Sequence, residues 1–80
     1  RMSHAPLVQH LVQALVTEPD VVHVEERRER EGITYFVRVA PNDVGKVIGK
    51  SGRVVSAIRY VVSAAASKAR QRAFVKVVTE

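Results

Sequence analysis

The sequence predicts a two-layer α+β domain of element order α-β-β-α-α-β, with helices packed on one face of a three-stranded sheet. Three observations carry that expectation. Apolar residues recur at helical spacing near the start and over an alanine-rich stretch in the second half; a period-two alternation runs over residues 33–40; and the turn Gly49-Lys50-Ser51-Gly52 separates a short apolar segment from the long one. Eighty residues form one domain over 1–80 with a modest core, since a chain this size buries only about 60% of its extended surface. Residues 1–4 are expected to be a loose N-terminal segment.

Over residues 6–16, Leu7, Val8, Leu11, Val12 and Leu15 fall on one helical face, with Gln9, His10 and Gln13 between them. Ser3 is the expected N-cap, and Pro6 fits the first turn, where its missing N–H would have had no partner. Pro19 should end the helix near Thr17 or Glu18, because the residue before proline is pushed out of the α region. Residues 21–28 begin as a strand with Val21, Val22 and Val24, and the charge run Glu25-Glu26-Arg27-Arg28-Glu29-Arg30-Glu31 reads as a solvated hairpin turn ending at Gly32. Ile33, Tyr35, Val37 and Val39 then alternate with Thr34, Phe36, Arg38 and Ala40 as the second strand of the hairpin. Pro41 closes it. Asn42 or Asp43 can cap a short helix over 44–48 whose Val44, Val47 and Ile48 plug into the core. A long helix is expected from 53 to about 70, with Lys68 and Arg70 complementing its dipole, and a last strand over 74–78 contains Lys76.

Composition bounds the chemistry. With 46% hydrophobic and 26% charged residues the chain is an ordinary soluble one. No apolar run approaches the roughly 18 residues of a membrane span, and no secretory signal is visible. Arg1 before Met2 reads as an extraneous residue. The absence of cysteine removes disulfides and thiolate sites and agrees with a reducing cytoplasm. The net charge of +5 is unevenly spread: residues 1–44 sum to −2 and residues 45–80 to +7. The positive half contains the glycine turn, and such a field favours a polyanion, although charge alone also fits a solvated basic surface.

Glycine lets a backbone take positive φ and come close to a phosphate. The helix that opens after Gly52 adds unpaired N–H donors and the positive end of its dipole, while Lys50 supplies a mobile charge and Ser51 a short polar group. Ile48-Gly49-Lys50-Ser51-Gly52, preceded by Val44-Gly45-Lys46-Val47 and followed by Ala57-Ile58-Arg59, resembles the signature of the KH domain. Its GXXG loop clamps single-stranded nucleic acid by the backbone. The similarity extends to the order of elements over nearly the whole chain. It is greatest to short bacterial single-domain KH proteins of the KhpA type, and it implies the type II KH fold.

That resemblance implies single-stranded RNA as partner and no cofactor. It implies an RNA surface of Lys46, Val47, Ile48, Gly49, Lys50, Ser51, Gly52, Arg53, Val55 and Arg59, with Val47, Ile48, Val54 and Val55 bordering an aliphatic groove or, on the plainer view, filling the core. A lesser reading makes the 25–31 charge run an RNA-contacting loop. The family also implies self-association and pairing with a larger KhpB (Jag-like) protein. The long helix is apolar on more than one side: Val54, Ile58, Val61 and Ala65, with Val55 and Val62, can face the sheet, while Ala57, Tyr60 and Ala64 point elsewhere. Tyr60, Val61 and Ala64 are therefore candidate homodimer contacts, unless the excess merely fills the core.

Other chemistries fit less well. Residues 45–51 approximate a P-loop but are one residue short, carry Val47 and Ile48 inside the loop, and stand apart from the preceding strand. His4, His10 and His23 lack zinc spacing, and no Ser/His/Asp set stands out, so no metal or enzyme site is expected. Tyr35, Phe36, Tyr60 and Phe74 are too few, and lack the sequence run, for an RRM stacking surface. The sequence thus points to a cytoplasmic RNA binder or chaperone. The competing view is a protein-interaction module on a KH scaffold, within a cell-shape or ribosome-associated complex.

Overall fold

In the computed structural model, which describes residues 2–79, α1 (Ala5–Gln13) leads into a hairpin of β1 (His23–Glu29) and β2 (Gly32–Arg38). The chain continues through α2 (Val44–Ile48), α3 (Arg53–Lys68) and β3 (Ala73–Val77). β2 is central, antiparallel to β1 and parallel to β3. An antiparallel pair closes with a tight turn, whereas a parallel pair needs a crossover, and α2 and α3 are that crossover. The α+β class and element order are those predicted.

One sheet face and the helices enclose the core. Ile33, Tyr35 and Val37 of β2 and Val75 of β3 meet Val8 and Val12 of α1, Val47 of α2, and Ile58 and Val62 of α3. The Tyr35 ring is fully buried, and its hydroxyl accepts the His4 N–H at 2.9 Å. Residues 2–4 are consequently docked rather than loose. His4 is buried, the Ser3 hydroxyl donates to Glu26 Oε1, and Gln71 Nε2 donates to the Met2 carbonyl at 3.2 Å. Arg1 lies outside the described residues. His4, not Ser3, occupies the N-cap of α1; Ser3 Oγ, one residue further out, accepts the Ala5 N–H at 3.2 Å.

Helix α1 stops at Gln13, well before the limit that Pro19 imposes. The N–H groups of Thr17 and Glu18 are given to the Asp43 carboxylate, at 3.0 and 3.1 Å, instead of to helical carbonyls. A distant acceptor has outcompeted the helix.

The charge run is not mainly a turn. Glu25 to Glu29 lie within β1, and only Arg30 and Glu31 link the strands. Backbone pairing is indifferent to side-chain charge, and on this edge strand the charges settle among themselves: Arg28 pairs with Glu26 at 2.8 Å and Arg27 with Glu25 at 3.5 Å.

Helix α3 ends at Lys68 because Arg70 adopts φ 59°. The Gln71 N–H then bonds the Ala66 carbonyl and the Arg70 N–H the Ser67 carbonyl, which is a Schellman closure. Its buried stripe is Val55, Ile58, Val62 and Ala66, so Val61 points outward and Ala65 is only half-buried, contrary to expectation.

Candidate nucleic-acid interface

The loop between α2 and α3 is built on positive φ. Gly49 has φ 77° and ψ 167°, Ser51 φ 57° and Gly52 φ 74°. The two glycines are needed for different reasons. A Cβ on Gly49 would stand 2.4 Å from Val54 Cγ2 and 2.8 Å from the Val54 nitrogen, whereas a Cβ on Gly52 would meet open space and offend only by its dihedral angle. Internal bonds take up the N–H groups of Gly49, Gly52 and Arg53. Those of Lys50 and Ser51 make no bond to another element among the described residues, and the loop opens directly onto the N-terminus of α3, whose first turn holds no acidic residue. Free amides and an uncompensated helix dipole make this an anion-facing turn.

Lys46, Lys50 and Arg53 stand exposed around it, and none of them is in an ion pair among the described residues. Beneath the loop Val47 and Val55 are in the core, while Ile48 and Val54 are half-buried at its margin.

The short helix α2 is held by Asp43, whose role the sequence does not disclose. Asp43 precedes α2 but makes no capping bond to it. Its fully buried carboxylate instead accepts the Thr17 N–H, the Thr17 hydroxyl at 2.9 Å and the Glu18 N–H. Burial by itself pushes this carboxyl up; the Thr17 and Glu18 donors and the nearby Lys46 charge outweigh it and hold the group below its usual range.

Arg59 is placed apart from the loop. Its Nε–H donates to the Val75 carbonyl at 3.0 Å on the outer edge of β3, and with Ser63, Phe74 and Lys76 it lines a groove between α3 and that strand. The sequence alone does not mark Lys76 and Phe74 as groove residues. The signal for them was the alternation of β3, in which 73, 75 and 77 turn inward and 74 and 76 outward. Tyr60, Val61 and Ala64 lie together on the exposed side of α3, with Tyr60 79% and Val61 44% exposed. His10 and His23 are exposed, and the described residues contain no group of three potential metal ligands. The segment resembling a P-loop is helical through Ile48, so no strand feeds the glycine turn as a P-loop requires. No helix among the described residues is long and apolar enough to cross a membrane.

A mixed sheet crossed by two helices that meet at a positive-φ GXXG turn defines a KH domain of type II. The chain belongs to the KhpA/KhpB family: the description "KhpA/KhpB, KH domain" matches residues 5–77. It is 46% identical over 72 residues to the RNA-binding protein KhpA of Caldanaerobacter subterraneus subsp. tengcongensis, covering 90% of this chain and 96% of the relative. The KhpA of Clostridium perfringens is 44% identical with the same coverage. That of Streptomyces coelicolor is 49% identical over 57 residues, 71% of this chain and 72% of the relative. No solved structure matches the chain significantly.

Proposed function

We propose that this protein is a cytoplasmic binder or chaperone of single-stranded RNA that clamps about four nucleotides through residues 49–52. The observation that carries this reading is the loop itself: unengaged Lys50 and Ser51 amides at the start of α3, ringed by Lys46, Lys50 and Arg53 with no ion-pair partner among the described residues. Relatives named as RNA-binding proteins support it. Ile48 and Val54 border the bound strand, and Val47 and Val55 act from below by fixing the backbone. Arg59 and Lys76 extend the path along β3. The role is binding, with no catalytic step. Few phosphates are engaged, so affinity is modest and falls as salt rises.

Lys50→Asp with Ser51→Asp tests the reading. Both side chains are exposed, so the fold persists by circular dichroism while RNA affinity falls at least about tenfold, because two carboxylates face phosphate. A folded variant of unchanged affinity would sink it.

The outer side of α3 supports self-association. Exposed Tyr60 and Val61 beside Ala64 suit close approach of a second copy, or of a KhpB-type partner, and pairing sets two weak clamps in one particle. Light scattering of Tyr60→Glu, Val61→Glu and Ala64→Glu checks this. A native mass already monomeric in the micromolar range refutes the homodimer, and a dimer that survives all three changes refutes the helix contact.

A further inference from the structure

The sheet has a face that no helix among the described residues covers. The registers put residues 23, 25, 27 and 29 of β1, 34, 36 and 38 of β2, and 74 and 76 of β3 on that face. None of these positions carries an aliphatic side chain other than the methyl of Thr34. Two of the four aromatic residues do stand there, Phe36 and Phe74. Each has a guanidinium over its ring: Arg27 at 4.7 Å from the Phe36 centroid and Arg72 at 5.6 Å from that of Phe74. Lys76 is the cross-strand neighbour of Phe36. Thr34, flanked by Arg27 on one ladder and Phe74 on the other, is only 5% exposed. The side chains therefore lie down as a layer over the sheet. Acidic groups sit toward β1 and are engaged: Glu25 with Arg27, and Glu29 as acceptor of the Thr34 hydroxyl at 3.4 Å.

We propose that this helix-free face is a second contact surface for single-stranded RNA, with bases stacking on the two Phe–Arg pairs and Lys76 and Arg72 meeting phosphate. Nucleobases stack on aromatic rings and on guanidinium planes alike, and such stacking tolerates any sequence. A face of rings and cations whose two carboxylates, Glu25 and Glu29, are confined to β1 and engaged, with no aliphatic bed, suits a polyanion with π-faces better than it suits the apolar centre of a protein interface. Phe74 and Lys76 also border the groove beside Arg59. A strand leaving the 49–52 loop along that groove can therefore pass over the β3 edge onto the sheet. The inference rests on the ligand being RNA, as proposed above, and not on the loop being its clamp.

Oligouridines of about four nucleotides, the span of a GXXG clamp, and of about twelve, long enough to continue past it, are titrated against the whole chain by NMR. In Phe36→Leu/Phe74→Leu, which keeps apolar volume and removes the π-faces, affinity for the longer oligomer falls about tenfold and that for the shorter is unchanged. If the double variant does not fold, Phe74→Leu alone carries the test, since that ring is already 37% exposed. Arg72→Gln lowers the salt dependence for the longer oligomer only. A folded variant with unchanged affinity for the longer oligomer overturns the proposal. So does a drop in particle mass by light scattering, which would make the face a protein interface. Loss of the shorter oligomer in Lys50→Asp/Ser51→Asp, with residual binding of the longer, is expected. If the loop variant keeps the shorter oligomer, the clamp is refuted and the sheet-face result stands on its own.

Discussion

The β1–β2 hairpin and the α2–α3 loop both concentrate charge, yet they are opposites. In the hairpin, Arg27 and Arg28 each have a carboxylate within ion-pair distance on the same strand. Around the loop Lys46, Lys50 and Arg53 have none among the described residues, and backbone amides add to the same sign. A count of charged residues favours the hairpin as the conspicuous feature. Partnership favours the loop. A binding field therefore comes from cations that have no carboxylate at ion-pair distance, since paired surface ions contribute little to either stability or attraction.

Breaking the loop should cost most. Gly49→Ala must hold a Cβ against the Val54 backbone at positive φ, and the expected loss is about 2–4 kcal/mol by urea denaturation, combining backbone strain with overpacking. Gly52→Ala has the dihedral penalty without the clash, so about 1 kcal/mol is expected. Equal losses at the two glycines would contradict the different surroundings assigned to them.

Asp43→Asn acts on the loop from below: it loosens the support of α2 and removes the carboxylate that interacts with Lys46. The folded carboxyl sits under its ordinary value of 3.8, so ionisation favours the fold. That stability is fully present above the ordinary value and is lost as pH falls through the lower folded one. The variant should therefore melt below the native protein at neutral pH, and the gap should narrow in acid. A gap independent of pH would assign Asp43 a purely steric role.

The hairpin should barely respond. Glu25→Gln removes an exposed pair at 3.5 Å and should shift stability by less than about 0.5 kcal/mol. Arg27→Gln should still weaken a longer oligouridine if the sheet face binds RNA. At the far end of α3, Arg70→Gly relieves a left-handed residue and should stabilise by up to about 1 kcal/mol. A loss there would mean that the Arg70 side chain contributes more than its backbone conformation costs.

The glycine turn, α2 and the element order were legible because each is encoded locally: apolar spacing by period, Pro41 as a stop, and two glycines where the backbone turns over. The segregation of positive charge into residues 45–80 was also plain from composition. What local pattern could not settle were choices among equals. The stripes 54-58-61-65 and 55-58-62-66 of α3 are both good helical faces and share Ile58. Packing against the sheet and the other two helices, with the Arg59 bond to Val75, selected the second. The end of α1, the docking of His4 on Tyr35 and the burial of Asp43 likewise depend on partners more than 20 residues away. Phe36 and Phe74, unremarkable as two of four scattered aromatics, came onto one sheet face only when β3 paired parallel to β2. Periodicity is a property of the chain and can be read along it, whereas phase, partnership and burial are properties of the assembled layers and come into being with them.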